Sequence, residues 1–359
     1  MTVLRAALVT PLTGPLAGYG RAGATALQLW AEGAAALPAP LTAVDLAVHD
    51  AHPDPGAAIR RATAERPDVV FGPYGSSPAL AAVAATDRLV WNHGGATSAL
   101  CRPAHANVVN VPAPASTYLS GALQAIRSAD PDGRTALLLA GTTGFAADVA
   151  AGALATAATC GFAVTEHRFE PGRAAEAAVR YADAGPSGQP AGVLLVVGGF
   201  EDEIAVAEVL LGRAWRAAVF VAAGVEEILA PVGAAREGLL GPAQWLASAA
   251  PRPDLGPDAT WFVDAYRRAA GSEPPYPAAQ AFAAGLVCAR CLVDAGGPGD
   301  EAMLAAAERL DVTTLYGRFR LDTGTGLQAG HEVLTVQWQD GRRRVVWPPA
   351  RAEGVLAPL

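Results

Sequence analysis

The chain has 359 residues, of which 52% are hydrophobic and 17% are charged, so it is long enough for two globular domains and too apolar to be disordered. All 26 basic residues are arginine, which excludes functions that need a lysine, such as pyridoxal-phosphate, P-loop and kinase chemistry. The net charge of -8 argues against nucleic acid and anionic membrane surfaces as partners.

Strand and helix patterns alternate through the first two thirds of the chain. The first series has predicted strands at 2–10, 41–50, 68–71, 89–91 and 107–111, and predicted helices at 16–37, 55–66, 78–88 and 119–127. The second series has strands at 135–141, 162–169, 192–197 and 217–223, and helices at 146–159, 174–182 and 202–212. Repeated βα units predict parallel, doubly wound sheets, and two series predict two α/β lobes.

The last third of the chain changes character. A proline-rich loop at 241–257 precedes predicted helices at 258–270, 278–295 and 301–310. Three short strands follow at 314–322, 332–340 and 342–347, with a turn at Asp340 and Gly341 between the last two. No stretch in this or any other part of the sequence is interpreted as a membrane span.

Hydroxyl groups and glycines follow two neighbouring predicted strands. Ser76 and Ser77 stand where a helix begins, with a serine expected at the N-cap, and Thr97 follows the next strand in the turn GGATS. Open α/β sheets bind ligands beyond the carboxyl ends of their strands, and a helix N-terminus favours an anion. The residues themselves therefore predict a site for a carboxylate or another anion, although each one alone is an ordinary turn or cap residue.

Two enzyme interpretations are possible from local motifs, and both are disfavoured. GYGRAG at 18–23 matches a dinucleotide fingerprint, but the glycines do not directly follow the first strand. Ser76 or Ser77 with His93 and Asp87 could form a hydrolase triad, but GSSPA is not the GxSxG elbow. No cofactor is predicted.

Histidines, carboxylates and cysteines also give no convincing metal or disulfide site. The segment HDAHPD at 49–54 is interpreted as a solvated loop rather than a metal site. Cys101, Cys160, Cys288 and Cys291 are interpreted as small packing residues, and four unpaired thiols lean toward a reducing compartment.

The order of several motifs along nearly the whole chain resembles a known family. These motifs are TPLTGPLAGYG, the HD…DP loop, GPYGSS, GGATS, PAAQAFAAGL and YGRFRLDTGTG…VQW. Together they resemble the type 1 periplasmic binding proteins, in the leucine/isoleucine/valine- and amide-binding branch of ABC transporter substrate-binding proteins. The resemblance implies two doubly wound lobes joined by three crossings, near 111–113, 240–244 and 322–328. Lobe 1 would comprise 1–112 and 243–324, and lobe 2 would comprise 113–242 and 325–359.

The resemblance also implies a set of ligand-binding residues. In the family, a serine that begins the third helix and a threonine after the fourth strand bind the ligand carboxylate. These match Ser76 and Thr97, with Ser77 and the backbone of Gly95 and Ala96 beside them. Aromatic residues would surround the body of the ligand, and they are Tyr19, Tyr74, Phe145, Phe200 and Trp245.

The second lobe departs from the pattern of an amino-acid receptor. Phe145 and Phe200 stand where the family has tyrosines. The acidic partner of the ligand ammonium falls near Ala223 and Gly224, so Glu226, next to Glu227, becomes the nearest acidic candidate.

The implied function is that of a non-catalytic solute receptor. The two lobes would close by a hinge on a small amino-acid-like, carboxylate or amide ligand in the inter-lobe cleft, for the membrane domains of an ABC importer. A cytoplasmic ligand sensor of the same fold is the alternative, and a dehydrogenase or serine hydrolase is a remote one. Residues 2–10 read as a strand rather than as a secretory signal, so export with a trimmed signal and a native start at Met1 both stay open. No membrane insertion is expected.

Overall fold

The computed structural model describes residues 2–34, 41–130, 135–182, 191–225 and 230–357. The strands are β1 (Thr2–Thr10), β2 (Leu41–Asp50), β3 (Val69–Phe71), β4 (Val90–Asn92), β5 (Val108–Asn110), β6 (Thr135–Gly141), β7 (Ala163–Phe169), β8 (Ala191–Val197), β9 (Trp215–Phe220), β10 (Leu240–Ala243), β11 (Val312–Thr313), β12 (Arg318–Phe319), β13 (Leu334–Gln339) and β14 (Arg342–Trp347). The α-helices are α1 (Ala17–Leu29), α2 (Pro55–Ala64), α3 (Ser76–Val83), α4 (Ser120–Ala129), α5 (Gly144–Cys160), α6 (Ala174–Ala182), α7 (Phe200–Leu210), α8 (Ala259–Ala270), α9 (Tyr276–Ala295) and α10 (Asp300–Arg309).

Contacts within the chain divide it into two compact units. Unit 1 comprises Met1–Pro114 and Trp245–Glu332, and unit 2 comprises Ala115–Gln244 and Val333–Leu359. The chain therefore passes from one unit to the other three times. Each unit is built around its own sheet.

The sheet of unit 1 sets the place of the candidate site. Among the described residues it has five parallel strands in the order β2-β1-β3-β4-β5. The strand order reverses between β1 and β3, so the connections that leave these two strands diverge and open a crevice at their carboxyl ends. The loops that follow β1, β3 and β4 therefore meet at one edge.

Helix α9 forms the centre of the core of unit 1. Most of its residues are buried, and Trp30 packs against it at Gly285, where an added Cβ would lie 2.6 Å from the indole ring. Helix α9 is long and apolar enough to cross a membrane, although the sequence analysis interpreted no stretch as a membrane span. In the structure, 78% of the 18-residue apolar stretch of this helix is buried inside the protein. A helix in the centre of a protein core is apolar on all sides because every side contacts other core residues, so it has the composition of a membrane-spanning helix.

The sheet of unit 2 is larger and mixed. Seven strands of the described part have the order β14-β13-β10-β9-β8-β6-β7. Strands β6 to β10 are parallel, while β13 pairs antiparallel with both β10 and β14. Leu194, Val196 and Phe220 belong to the core that helices α6 and α7 cover. The predicted fold class, two doubly wound α/β units, is confirmed.

Several predicted boundaries were wrong in detail. Helix α1 ends at Leu29 and continues as a π-helical turn at Trp30–Ala34, and the predicted end at 35–37 lies outside the described residues. In place of the single strand predicted at 314–322, the structure has two antiparallel strands of two residues each, β11 just before this segment and β12 within it, joined by a turn. Both errors arise because apolar periodicity gives the type of an element more reliably than its ends.

Candidate functional site

The candidate site of unit 1 begins where β3 turns into α3. Gly75, not a serine, is the N-cap residue, and its φ of 101° is a conformation that suits glycine. An added Cβ there would also lie 2.7 Å from Leu16. Ser76 and Ser77 are therefore the first two helical residues, one position later than the sequence predicts, with Ser76 half-buried and Ser77 exposed.

The start of α3 holds hydrogen-bonding groups that the described residues do not use. The N–H groups of Ser76 and Ser77 have no partner within the helix, because the first turn of a helix never supplies one. Neither serine hydroxyl has a hydrogen-bond partner among the described residues, and the same holds for the N–H of Ala96. These donors, together with the positive end of the helix dipole, form a surface suited to a carboxylate.

The turn after β4 is shaped by the side chain of Asn92. Its Oδ1 accepts hydrogen bonds from the N–H groups of Gly94 (3.2 Å) and Gly95 (2.7 Å), and its Nδ2 donates to the carbonyl of Gly95 (2.7 Å). Both backbone groups of Gly95 are therefore already bonded, and Gly95 does not offer the free N–H that the resemblance implies. Its N–H serves to fold the turn instead.

Thr97 ends the same turn in a buried position. It is 3% exposed, and its Oγ1 accepts a hydrogen bond from the N–H of Ala99, which caps a short 3-10 turn. The backbone of Gly75 donates to the carbonyl of Gly94, so this turn and the start of α3 are tied together. Unit 1 thus brings Ser76, Ala96 and Thr97 to one edge of its sheet.

Three tyrosines cluster beside these groups. The rings of Tyr19 and Tyr74 stack with centroids 5.0 Å apart, and Tyr276 lies 6.3–6.4 Å from both. The hydroxyls of Tyr74 and Tyr276 form a hydrogen bond. The sequence interpretation missed Tyr276 because the helix was expected to begin at 278. The tyrosine before PAAQAF, at the first position of α9, was the available signal.

Trp245 does not join this cluster. It is 6% exposed in the core of unit 1, its ring packs edge-on against Phe262, and its Nε1 donates to the carbonyl of Leu315 (2.9 Å). A ring buried in this way, with its polar atom already paired, packs the interior of unit 1.

His93 is fully buried and forms no triad. Neither ring nitrogen has a partner among the described residues, so His93 bonds neither to a serine hydroxyl nor to Asp87. Burial lowers its pKa to about 4, which keeps the imidazole neutral at ordinary pH. Its Cε1 lies 3.0 Å from the place a Cβ on Gly23 would take, so the ring packs against α1.

The glycines of GYGRAG lie inside helix α1 and not in a phosphate-binding turn. A Cβ on Gly20 would lie 1.7 Å from the carbonyl oxygen of Pro11, so this glycine permits close contact between the helix and the chain that leaves β1. The dinucleotide fingerprint is therefore explained by packing.

The predicted aromatic residues of unit 2 both lie at the starts of helices. Phe145 is the second residue of α5, is half-buried, and packs edge-on against Tyr118 at 5.7 Å. Phe200 is the first residue of α7, half-buried beside the core. Each helix begins just beyond the carboxyl end of a parallel strand, β6 or β8, and that is where the fold places ligand-binding residues.

A short 3-10 turn, Val221–Gly224, follows β9 in unit 2. Trp338 donates from Nε1 to the carbonyl of Ala223 (2.9 Å), and Arg343 donates to the carbonyl of Gly224 (2.6 Å). The backbone at the position where the resemblance places an acidic residue is thus held by an indole and a guanidinium. The predicted acidic candidate, Glu226, lies outside the described residues.

The loop after β2 is organised by Asp50. Burial, the largest single influence, raises the pKa of its carboxyl, but hydrogen bonds from the Thr13 hydroxyl and from the N–H groups of His52 and Leu12 together lower it to about 2. Asp50 therefore ties the loop after β1 to the loop after β2. Within the described residues no group of three or more His, Cys, Asp or Glu side chains could hold a metal ion.

Comparison with protein families gives a match over almost the whole chain. The model of the family described as "Periplasmic binding protein" matches residues 3–343. The chain belongs to the periplasmic binding protein family. The predicted family is thus confirmed, and a sequence comparison with the curated proteins found no match.

Solved structures of periplasmic binding proteins share the fold. A leucine-binding protein from Thermotoga maritima has a TM-score of 0.79 and 18% identity, covering 95% of this chain and 97% of its own. A solute-binding protein of an ABC transporter from R. palustris in complex with benzoate has a TM-score of 0.76 and 16% identity, covering 100% of both chains. Another from R. palustris, in complex with 4-hydroxybenzoate, has a TM-score of 0.78 and 16% identity, covering 96% and 95%. At these identities the likeness establishes the type 1 periplasmic-binding fold.

Proposed function

We propose that this periplasmic binding protein is a non-catalytic receptor for a small apolar carboxylate, with aromatic acids as the leading class. The observation that carries the proposal is the group of unused donors at Ser76, Ser77 and Ala96, next to the stacked rings of Tyr19 and Tyr74. Hydroxyl and N–H donors suit the carboxylate, and aromatic rings suit a flat apolar body.

The composition of unit 2 supports an apolar carboxylate over an amino acid. Phe145 and Phe200 present no hydroxyl, and the carbonyls of Ala223 and Gly224 are already bonded to Trp338 and Arg343. Burying the ammonium of an amino-acid ligand without a carboxylate partner or full hydrogen bonding would weaken its binding. Two of the similar structures bind benzoates, and one is a leucine-binding protein, so the two ligand classes are the alternatives to test.

Matched ligands with and without an α-amino group decide between these classes. We expect 4-methylpentanoate and 3-phenylpropanoate to bind at least as well as L-leucine and L-phenylalanine, with benzoate and 4-hydroxybenzoate included in the same thermal-shift screen and calorimetry. A strong preference for the amino forms, abolished by Glu226→Gln or Glu227→Gln, would restore an ordinary amino-acid receptor.

Substitutions in unit 1 test the carboxylate site itself. Ser76→Ala and Thr97→Val should each weaken the best ligand of the screen roughly tenfold or more, because a hydrogen bond to a charged group contributes about 1.5–3 kcal/mol. Thr63→Val is a matched control, since the Thr63 hydroxyl bonds only within α2. Unchanged affinity in both site variants would contradict the assignment.

We also propose that ligand binding closes the protein by a hinge at the three chain crossings, and that the closed form delivers its solute to the membrane domains of an ABC importer. Ligand contacts made only in the closed form would shift the equilibrium toward it. Small-angle scattering should give a smaller radius of gyration at saturating ligand, and an unchanged radius would exclude closure.

A further inference from the structure

Glu203, on the first turn of α7, joins two loops of unit 2. Its Oε1 accepts a hydrogen bond from the N–H of Gly198 (3.2 Å), which follows β8, and its Oε2 accepts one from the N–H of Ala222 (2.7 Å), which follows β9. The side chain is 1% exposed. One carboxyl therefore connects the loop that leads into Phe200 with the turn Val221–Gly224.

The neighbouring carboxyl of Asp202 extends this arrangement to a third loop. Its Oδ1 accepts from the N–H of Gly172 (2.8 Å), which follows β7, and its Oδ2 accepts from the N–H of Gly199 (3.3 Å). Two adjacent acidic side chains thus hold the loops that follow β7, β8 and β9, three parallel strands that come one after another in the chain. These are the loops through which α/β sheets contact ligands.

Ion pairing does not explain the burial of Glu203. In the described part of the chain no arginine or histidine forms an ion pair with it; its polar partners are the two backbone N–H groups. A buried carboxyl destabilises a fold unless it is hydrogen-bonded, so the two backbone N–H groups are what hold Glu203 in this position. Glu201, two residues before Glu203 on the same helix, is exposed and makes none of these contacts.

We propose that Glu203 is a positioning residue for ligand binding: it sets the turn Val221–Gly224 at a fixed place relative to Phe200, so that both meet the ligand together. The inference rests on the proposed function, in which unit 2 contacts the ligand through these segments. Glutamine in place of Glu203 has nearly the same size but only one oxygen. That oxygen can accept from one of the two N–H groups while the NH2 faces the other, whereas a carboxyl, protonated or not, turns an oxygen with lone pairs toward each N–H.

The test compares Glu203→Gln with Glu201→Gln, the same chemical change at an exposed neighbour. Hydrogen exchange followed by mass spectrometry reports on the peptides that cover 198–200 and 221–224. Calorimetry with 4-hydroxybenzoate and with L-leucine reports on affinity at pH 6. In Glu203→Gln we expect at least tenfold faster exchange in one or both peptides and about tenfold weaker binding of whichever probe binds the wild type, and in Glu201→Gln neither change.

Each result is decisive. Loosened loops with unchanged affinity would make Glu203 a structural residue only and overturn the proposal, as would wild-type exchange in Glu203→Gln. If neither probe binds the wild-type protein, the proposed ligand class fails, and exchange of the two peptides still decides whether Glu203 fixes them. If Glu203→Gln does not fold, exchange of the Ala222 amide in the wild type takes its place. Protection no greater than that of exposed turn amides would overturn the proposal.

Discussion

The buried carboxyl of Glu203 makes the stability of unit 2 depend on pH in a predictable direction. Burial raises its pKa from 4.5 to about 8, with the charge of Asp202 adding to the effect, although the N–H groups of Ala222 and Gly198 lower it. The folded state therefore holds a proton that the unfolded state releases. The contribution of this proton to stability is complete below pH 4.5 and is lost progressively as the pH rises to about 8.

The size of this loss follows from the same two values. The interval from 4.5 to about 8, at about 1.4 kcal/mol for each pH unit, corresponds to about 5 kcal/mol in the free energy of unfolding. This is a ceiling, because local opening that lets water reach the carboxyl relieves part of the destabilisation. Replacing Glu203 with glutamine removes the titration and leaves one buried N–H unsatisfied, at about 1–3 kcal/mol.

Urea unfolding between pH 5 and pH 9, with hydrogen exchange of α7 to assign the transition to unit 2, measures both effects. Glu203→Gln should be less stable than the wild type at pH 5 and more stable at pH 9, so the two curves cross. Glu201→Gln should follow the wild-type curve. A constant difference between Glu203→Gln and the wild type across this range would refute the reasoning.

Three further predictions concern unit 1. Because burial lowers the pKa of His93 from 6.5 to about 4, the contribution of His93 to the stability of unit 1 should fall by about 3 kcal/mol as the pH drops from 6.5 to 4, and His93→Leu should remove that contribution from acid unfolding curves. Gly20→Ala should destabilise the protein by about 3 kcal/mol or more, a severe case of overpacking, because its Cβ would meet the carbonyl oxygen of Pro11. Gly18→Ala, with open space around it, should instead raise the melting temperature slightly. Asn92→Ala should unfold the turn after β4 and weaken ligand binding by roughly tenfold in calorimetry; wild-type affinity would show that the turn forms without it.

The sequence was sufficient for the order of the elements because alternating βα units and buried apolar runs leave few other topologies. It also placed Ser76 and Thr97 at one sheet edge, since strand ends can be read from glycines and prolines. The cap at Gly75 was missed by one residue because serine is the commoner cap, and only the contact with Leu16 shows why glycine is needed there.

The residues that the sequence could not assign depend on contacts between distant segments. Glu203 stands in the acidic run FEDE, which is typical of an exposed first turn, and its burial follows only from the loops after β8 and β9 folding over it. Trp245 follows a glycine-proline break, and its Nε1 donates to the carbonyl of Leu315, seventy residues later in the chain. Neither partner is visible from local pattern.

The fit of Trp30 against Gly285 has a consequence for how this chain can vary over evolution. Any side chain at 285 would overlap the indole ring, which an added Cβ would approach to 2.6 Å, so position 285 cannot gain a side chain while the ring is in place. A lineage that replaces the tryptophan by a smaller residue opens space for alanine or serine at 285, and the reverse order of changes passes through an unstable intermediate. Among close relatives the two positions should therefore covary, with the loss of the large ring preceding the gain of a side chain on the helix.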